Sequence, residues 1–358
     1  MSDGMHYAPV ARQQKVVCKP DEFRVAVAYL DHGHIYGMAE NLKAAGATIT
    51  KVYDRHEKRV EYFCQLFPEA VVVSDFQEIL DDKTIHLVAA AAVPSLRGPI
   101  GLQVMQHGKD YFTDKTPFTD LDQLSEARQC AADTNQKYAC CYSERVQNES
   151  AEYAVELIQS GVIGDVVQVI GLGPHRLGAN NRPKWFFEKA KYGGIICDIG
   201  SHQAEQFLTF TGATDAEITQ ARVHNYANAE YPELEDFGDF SLVGNNQASG
   251  YFRMDWFTPD GLRTWGDGRT TILGTKGFIE LRKYVDIGAQ ELTTDNVYIV
   301  NETSEERHCV AGKIGFPFFP AFILDCLNRT ENAMTQAHCF KAAEICLVAQ
   351  EQADQKSG

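Results

Sequence analysis

The first 140 residues alternate short, almost wholly apolar runs with segments of helical spacing, and this alternation limits the fold more than any other feature. The run at residues 23–29 is followed by a helical segment at 35–45, and five similar runs follow up to residue 142. Apolar strands separated by helices are typical of a parallel sheet covered on both faces. Right-handed crossovers then wind the chain into a doubly wound α/β domain of the Rossmann type. We predict an N-terminal extension over residues 1–22 and this domain over residues 23–143.

From residue 144 the pattern changes to long runs that alternate apolar and polar side chains. After one helical segment near residue 150, such runs recur up to about residue 302, with turns rich in glycine and asparagine between them. This alternation is typical of antiparallel strands with one buried face. The sequence therefore predicts a second, α+β domain over residues 144–358 with a large, open, mainly antiparallel β-sheet. Its C-terminal helical stretch, residues 319–350, can pack back on the Rossmann domain.

Charge and cysteine usage exclude several classes of partner. Lysine and arginine number 33 against 49 aspartates and glutamates, so the net charge is −16 and disfavours nucleic acid and anionic lipid surfaces. No apolar run approaches the roughly 20 residues that span a bilayer. The ten cysteines are scattered and form no C-x-x-C pair, as expected of free thiols in a reducing compartment. We expect a cytoplasmic protein with no nucleic-acid or membrane partner and no metal site.

The segment DHGHIYG, residues 31–37, lies where a dinucleotide-binding turn belongs, between the first strand and the first helix. Of the pattern G-x-G-x-x-G only Gly33 is in place, so the motif alone is weak. Asp54 ends the second predicted strand 21 residues later (54 − 33), where a carboxylate accepts the adenosine ribose hydroxyls and disfavours a 2′-phosphate. The alternative is that Asp54 caps a helix, and Arg55 beside it is able to accept a 2′-phosphate. We therefore predict NAD as the cofactor, with NADP as the open alternative.

Two further segments carry groups suited to oxidation of an alcohol. Lys115 follows the fifth predicted strand, where its charge favours the alkoxide that precedes hydride loss. Asp198 and His202 are four residues apart in a glycine-rich segment, so that on a helix they face the same way. A histidine there can take a hydroxyl proton. Taken singly, Lys115 also suits an exposed surface, and His202 a hydrogen-bonded core position.

Together these segments resemble the Gfo/Idh/MocA family of glucose-fructose oxidoreductase, inositol dehydrogenase and rhizopine catabolism proteins, over residues 23–350. DKTP at 114–117 resembles the family's Glu-Lys-Pro element with one residue inserted, and residues 193–202 resemble its Asp-x-Gly-x-His element. The chain departs from the family at AVPSLR, residues 92–97, where Thr-Pro-Asn-x-x-His is usual, and at Glu205, where the family has aspartate. The resemblance implies a Rossmann domain joined to a large open sheet, and oxidation of sugar or polyol hydroxyls with NAD or NADP.

The resemblance also implies roles for individual residues. Lys115, Asp198 and His202 would be the catalytic set, with His202 as general base. The residues expected to bind the cofactor are Gly33, His34, Ile35, Asp54, Arg55, Ala92, Val93, Pro94, Asp114, Lys115 and Arg145. The residues expected to bind substrate are Asp198 and His202 and, from the segment between a strand of the second domain and the catalytic helix, His175, Arg182 and Trp185, with Arg176 as a further candidate. The residues of this segment are chosen for their chemistry, since arginine and tryptophan suit hydroxyl binding and stacking on a sugar ring. For the segment that carries His175 and Trp185, a loop anchored by one buried tryptophan is an equally good interpretation.

Three functions fit these residues. The first is an NAD(P)-dependent dehydrogenase acting on a secondary hydroxyl of a sugar, glycoside or inositol-like polyol. The second is a lyase or glycosidase that keeps NAD bound and oxidises its substrate transiently. The third is a non-catalytic regulator that binds dinucleotide, which would have no need of Lys115 and His202. Apolar alternation in residues 250–257 and 278–285 further predicts a homo-oligomer, a dimer or tetramer, formed through faces of the sheet.

Overall fold

The computed structural model describes residues 4–290 and 294–357, and in it the chain divides into two compact units. The first unit contains residues 5–141 and 316–340. The second contains residues 142–315 and the chain from 341 onward, together with Gly4. The division falls two residues before the predicted boundary at 143, and residues 316–340 are grouped with the first unit.

The first unit is built on a six-stranded parallel sheet in the order β3-β2-β1-β4-β5-β6. Its strands are β1 (Arg24–Ala28), β2 (Thr48–Tyr53), β3 (Val71–Val72), β4 (Leu87–Ala90), β5 (Asp110–Asp114) and β6 (Tyr138–Cys141). Its helices are α1 (His34–Ala44), α2 (Glu57–Leu66), α3 (Gln77–Leu80), α4 (Pro94–Gln106), α5 (Leu121–Thr134) and, near the C-terminus, α11 (Phe318–Asn328). This is the predicted doubly wound order, with the first strand next to the crossover point.

The central strands are apolar because both of their faces are covered. All of β4 and most of β1 are fully buried. On one side, Phe318, Phe319 and Phe322 of α11 pack on Phe112 of β5. Helix α4 begins at Pro94, and proline is well suited to the first turn of a helix.

The second unit contains an eight-stranded sheet in the order β14-β13-β12-β11-β7-β10-β9-β8. Its strands are β7 (Val166–Pro174), β8 (Ala216–His224), β9 (Phe237–Gly244), β10 (Ser249–Asp255), β11 (Arg269–Gly274), β12 (Gly277–Arg282), β13 (Asn296–Asn301) and β14 (Glu305–Cys309). Its helices are α6 (Ser143–Val146), α7 (Glu149–Gln159), α8 (Lys189–Tyr192), α9 (Ile195–Asp198) and α10 (Gly200–Thr211), while α12 (Gln336–Ser357) begins in the first unit. Every neighbouring pair is antiparallel except β7 and β10, which are parallel.

Helix α10 packs closely on one face of this sheet because β7 carries glycine where the two meet. A Cβ on Gly171 would lie 2.1 Å from Gln203 Oε1, and one on Gly173 would lie 3.0 Å from Gln203 Nε2. A larger residue at either position would displace the end of the Gln203 side chain. The two glycines thus leave room for Gln203 between β7 and α10, the helix that carries His202.

The structure can be compared with two expectations from the composition, those for the cysteines and for membrane-spanning helices. All ten cysteines are thiols outside any disulfide bond, and eight of them are buried. No helix in the described ranges is both long enough and apolar enough to cross a membrane.

One buried carboxyl in the second unit should make stability depend on pH. Burial raises the pKa of Asp295 to about 7, against its hydrogen bonds from Ser150. Between about pH 4 and 7 the folded state therefore keeps a proton that the unfolded chain has lost, so stability falls as pH rises. Asp295→Asn should remove up to about 4 kcal/mol of this loss, measured as the pH dependence of urea unfolding. The exposed Glu302→Gln is the control, and equal slopes in wild type and Asp295→Asn would contradict the assignment.

Candidate functional site

Asp114, the last residue of β5, is the centre of a buried hydrogen-bond network in the first unit. Its carboxylate lies 3.1 Å from His32 Nδ1 and 2.9 Å from His34 Nδ1, and it accepts the Lys115 backbone N–H at 2.8 Å. The two histidines come from the turn after β1, because the carboxyl ends of parallel strands meet at one edge of the sheet. The network therefore joins the candidate dinucleotide turn to the strand end that carries Lys115.

Arg97, on α4, binds the same strand end and is fully buried. Its Nη2 donates to Asp114 Oδ2 at 3.2 Å, Nε donates to Ala92 O at 2.7 Å, and Nη1 donates to the carbonyls of Lys115 and Thr116. A planar guanidinium with several fixed donors is well suited to hold three backbone carbonyls and one carboxylate. The backbone on both sides of Lys115 is thereby held in place.

The protonation states in this network follow from its charges. Burial opposes ionisation of Asp114, but His34, Arg97 and His32 outweigh it and hold the pKa of this carboxyl well below its usual range. Burial, reinforced by His34, lowers the pKa of His32 to about 3, so its imidazole is neutral at physiological pH. His32, His34 and Asp114 also bring ligand-type atoms within 4.8 Å of one another. Since the carboxylate already accepts from four donors, hydrogen bonding accounts for this cluster.

The candidate dinucleotide turn lies between β1 and α1 as predicted, and a second segment of the chain lies across it. Gly33 precedes α1 at the carboxyl end of β1, and it has no side chain to keep a pyrophosphate away. The space of its absent Cβ is taken up by the backbone of Met5, whose carbonyl oxygen is 2.5 Å from that position, and of His6, whose Cα is 3.0 Å away. The frame therefore fits a dinucleotide, but close approach of a pyrophosphate to Gly33 requires these two residues to move.

The same segment follows α1 for two more turns. A Cβ on Gly37 would lie 3.0 Å from the backbone of Ala8. The buried Asn41 side chain accepts from Ala11 N at 3.0 Å and donates to Pro9 O at 2.8 Å. We call residues 5–11 the N-terminal strap. Gly37 and Asn41, both unexplained by the dinucleotide pattern, are accounted for by this contact.

Asp54 follows β2 as predicted, and its carboxylate binds the protein's own backbone. Oδ2 accepts from Leu30 N at 2.6 Å and Oδ1 from His56 N at 2.7 Å, and the side chain is 2% exposed. These bonds do not cap a helix, because the N-cap residue of α2 is His56, so the helix-capping alternative raised from the sequence is wrong. They leave the ribose contact as a prediction, while Arg55 is exposed and lies 6.0 Å from the Tyr29 ring centre.

Asp198 and His202 lie in the second unit, where α9 and α10 form a nearly continuous helical segment with one turn residue, Ile199, between them. Gly194, at the start, has φ +93°, and a Cβ there would lie 2.3 Å from the Gln350 side chain. Asp198 is 8% exposed and His202 is 2% exposed. The backbone carbonyl of His202 accepts from Gln206 Nε2 at 2.9 Å. Lys115 lies in the first unit.

Several other predicted residues are engaged in contacts within the second unit. Arg145 is buried with two carboxylates, Glu205 Oε1 at 2.5 Å from its Nε and Glu152 Oε1 at 3.1 Å from its Nη1. Burial acts to lower the pKa of Arg145, but Glu205 and Glu152 outweigh it and raise that pKa. Burial also raises the pKa of Glu152 to about 7. Arg145 is thus tied to α7 and α10, and a cofactor contact by it stays a prediction.

The predicted substrate loop is held by aromatic and backbone contacts. The His175 ring lies 4.5 Å from the Trp265 ring and 5.4 Å from the Trp256 ring. Arg182 donates from Nε to Leu177 O and stacks on Phe186. Arg176 donates to the carbonyls of Pro259 and Leu262. Trp185 is half-buried, so the tryptophans that anchor this loop are Trp256 and Trp265.

Comparison with known proteins gives matches in both units. A family model described as the GFO/IDH/MocA C-terminal domain matches residues 152–280, and one described as the oxidoreductase family, NAD-binding Rossmann fold, matches residues 29–142. Among curated proteins, scyllo-inositol 2-dehydrogenase (NADP(+)) IolW of Bacillus subtilis (strain 168) is 26% identical over 188 residues, 52% of each chain. The chain spans about half the length of the curated relatives that it matches.

Solved structures extend the match to nearly the whole chain. A protein from Erwinia carotovora atroseptica SCRI1043, named as an oxidoreductase, is 47% identical with a TM-score of 0.90, over 93% of this chain and 99% of that one. Levoglucosan dehydrogenase in complex with NADH and levoglucosan has the same fold, with a TM-score of 0.77 and 16% identity over 93% of this chain and 98% of that one. The chain belongs to the GFO/IDH/MocA oxidoreductase family, and its first unit is that family's NAD-binding Rossmann domain.

Proposed function

We propose that this protein oxidises a secondary hydroxyl group of a cyclic sugar, glycoside or inositol-like polyol. The observation that carries the proposal is the fixed position of Lys115, a buried lysine whose flanking backbone is held by Arg97 and Asp114. A cation held in a protected place at a strand end is suited to stabilise developing negative charge, and a surface lysine would have no need of such support. A nicotinamide dinucleotide supplies the hydride acceptor when bound.

The protein's own groups divide the work on the alcohol. His202 takes the hydroxyl proton, because hydride leaves readily only as that proton departs. The Lys115 ammonium stabilises the alkoxide, and Asp198 orients the imidazole or accepts a neighbouring hydroxyl. Support for the substrate class comes from relatives that bear the names of scyllo-inositol and levoglucosan dehydrogenases.

A direct test is a screen of the purified full chain with NAD or NADP against scyllo-inositol, myo-inositol, levoglucosan and glucose. Absorbance at the wavelength of the reduced nicotinamide should rise with at least one of these compounds, and His202→Ala should abolish the rise. Substrate conversion without net release of NADH would instead support the lyase or glycosidase that uses bound NAD. Dinucleotide binding with no conversion of any compound would support the non-catalytic regulator.

The preference for NAD over NADP is a separate prediction that depends on Asp54. A carboxylate at the end of β2 repels a 2′-phosphate, so NAD should bind more tightly than NADP. Asp54→Asn keeps an acceptor for one of the two backbone amides but removes the charge, and should narrow the difference roughly 10-fold, measured by titration calorimetry. Tighter binding of NADP to the unmodified protein would contradict this role of Asp54.

We also propose a homo-oligomer, a dimer or tetramer, formed through the open face of the eight-stranded sheet. Leu273 and Phe278 are paired across β11 and β12 and are 44% and 37% exposed, while their neighbours Ile272 and Ile279 are buried on the opposite face. Exposed apolar pairs on a sheet favour burial against a second copy. Light scattering at micromolar concentration should give a multiple of 39.9 kDa. Leu273→Glu should reduce it, and a monomeric mass for the unmodified chain would contradict the proposal.

A further inference from the structure

Glu144 and Lys283 form a buried ion pair in the second unit that the chemistry above does not use. Glu144 lies on α6 and Lys283 follows β12, and each is 2% exposed. Lys283 Nζ is 3.2 Å from Glu144 Oε2. Removing two charges from water costs several kcal/mol per ion, so a pair buried this deeply adds little stability compared with apolar residues of the same size.

This pair packs against the helix that carries His202. Gln203 Nε2 donates to Glu144 Oε2 at 3.2 Å, and Lys283 Nζ donates to Gln206 Oε1 at 2.6 Å. Gln206 in turn donates to the backbone carbonyl of His202. Residues 202, 203 and 206 lie on one side of α10. The Glu144–Lys283 pair is thus within one helical turn of the proposed base.

The pair is left with one unfilled acceptor and one unfilled donor among the described residues. Glu144 Oε1 is buried and has no hydrogen-bond partner, and His175 Nε2 is 3.9 Å from it, beyond bonding distance. The Lys283 ammonium has three N–H groups, and its acceptors in the described part of the chain are Glu144 Oε2 and Gln206 Oε1. An unmet buried carboxylate oxygen is costly, so this arrangement suits a ligand that supplies the missing partner.

We propose that Glu144 and Lys283 together bind one hydroxyl group of the substrate, other than the one that is oxidised. A hydroxyl is donor and acceptor at once, so it can donate to Glu144 Oε1 and accept from Lys283 Nζ. An ionised carboxylate has no proton to donate to Glu144 Oε1, and a methylene group would leave both partners unmet. The inference rests on the proposed function and makes it narrower, since the substrate must carry a second hydroxyl group that reaches this pair.

The test is the paired variant Glu144→Gln with Lys283→Met, which removes both charges at similar volume and leaves no single charge buried. For the polyol that the wild type oxidises best in the screen, kcat/KM should fall at least 10-fold, mainly through KM, since a remote hydroxyl is held equally in the ground and transition states. For one monodeoxy analogue of that polyol, the kcat/KM of the wild type should be lower by the same factor. The wild type and the paired variant should then have equal kcat/KM for this analogue. The control is Lys341→Met with Asp215→Asn, an ion pair near the surface of the same unit, which should keep kcat/KM.

Binding without turnover separates this inference from the proposed function. The same polyol at millimolar concentration should raise the melting temperature of the wild type and of the control variant, but not that of the Glu144/Lys283 variant. If nothing in the screen is oxidised, scyllo-inositol is the probe: a shift that needs the pair would sustain hydroxyl binding by Glu144 and Lys283 although the oxidation in the proposed function had failed. Turnover and melting shifts unchanged in the paired variant would show that the pair is only structural. The absence of any shift with every compound in the wild type would also overturn it.

Discussion

Alanine in place of His202, or of Lys115, should lower turnover by roughly two to four orders of magnitude, the usual cost of losing a proton acceptor or a charge at the reacting oxygen. His202→Ala should leave dinucleotide affinity largely unchanged, because the histidine lies outside the Rossmann domain. A base must be unprotonated to act, so oxidation by the wild type should rise with pH, and this rise should be lost in His202→Ala. Steady-state kinetics across pH, with dinucleotide titration, measures all three quantities.

Some results would remove these residues from the mechanism. Near-normal turnover in His202→Ala with an unchanged pH profile would exclude it as the base. Ser201, its fully buried neighbour, donates to the Asp198 carbonyl, so Ser201→Ala is a matched control for disturbance of the helix and should keep most of the activity.

The second large effect concerns folding. Arg97→Met should lower the free energy of unfolding by about 3–5 kcal/mol, because it leaves the buried Asp114 without its guanidinium and three carbonyls without a donor. Urea denaturation measures this loss. Arg269→Met removes a partly exposed arginine bound to Asp267 and should cost under about 1 kcal/mol.

The two variants separate a general cost of losing arginine from the specific network around Asp114. If Arg97→Met were as mild as Arg269→Met, the network would not hold the strand end that carries Lys115. If Arg97→Met folds, its turnover should fall while Arg97→Lys, which keeps the charge and a donor, retains more of both stability and activity.

The architecture could be predicted because the burial of a strand determines the pattern of apolar residues in its own sequence. Strands covered on both faces are apolar throughout, as in β4, and strands covered on one face alternate, as in β9. Two features of the second sheet have no such pattern in the sequence. The parallel pairing of β7 with β10 depends on contacts between distant segments, and β14 was not recognised because its sequence, EERHC, is mostly polar on an exposed edge.

Candidate site residues could be predicted from the sequence only where they lie in a recognisable motif. Lys115, Asp198 and His202 follow from recognisable elements, whereas the roles of His32 and Arg97 arise from the meeting of three segments. The sequence did contain a signal, since DHGH, AVPSLR and DKTP are the places where the first domain departs from the family pattern. In the structure, His32, His34 and Arg97 from two of these segments bind Asp114 of the third. The three departures therefore belong to one hydrogen-bond network. Glu144 and Lys283, 139 residues apart, had no comparable signal.

The N-terminal strap has a kinetic consequence for the cofactor. Because the backbone of Met5 and His6 fills the space beside Gly33, a dinucleotide binds closely only to molecules in which these residues have moved. The apparent dissociation constant is then the intrinsic one divided by the fraction of such molecules. If the strap opens before the dinucleotide binds, the observed association rate should level off at high dinucleotide concentration instead of rising in proportion to it.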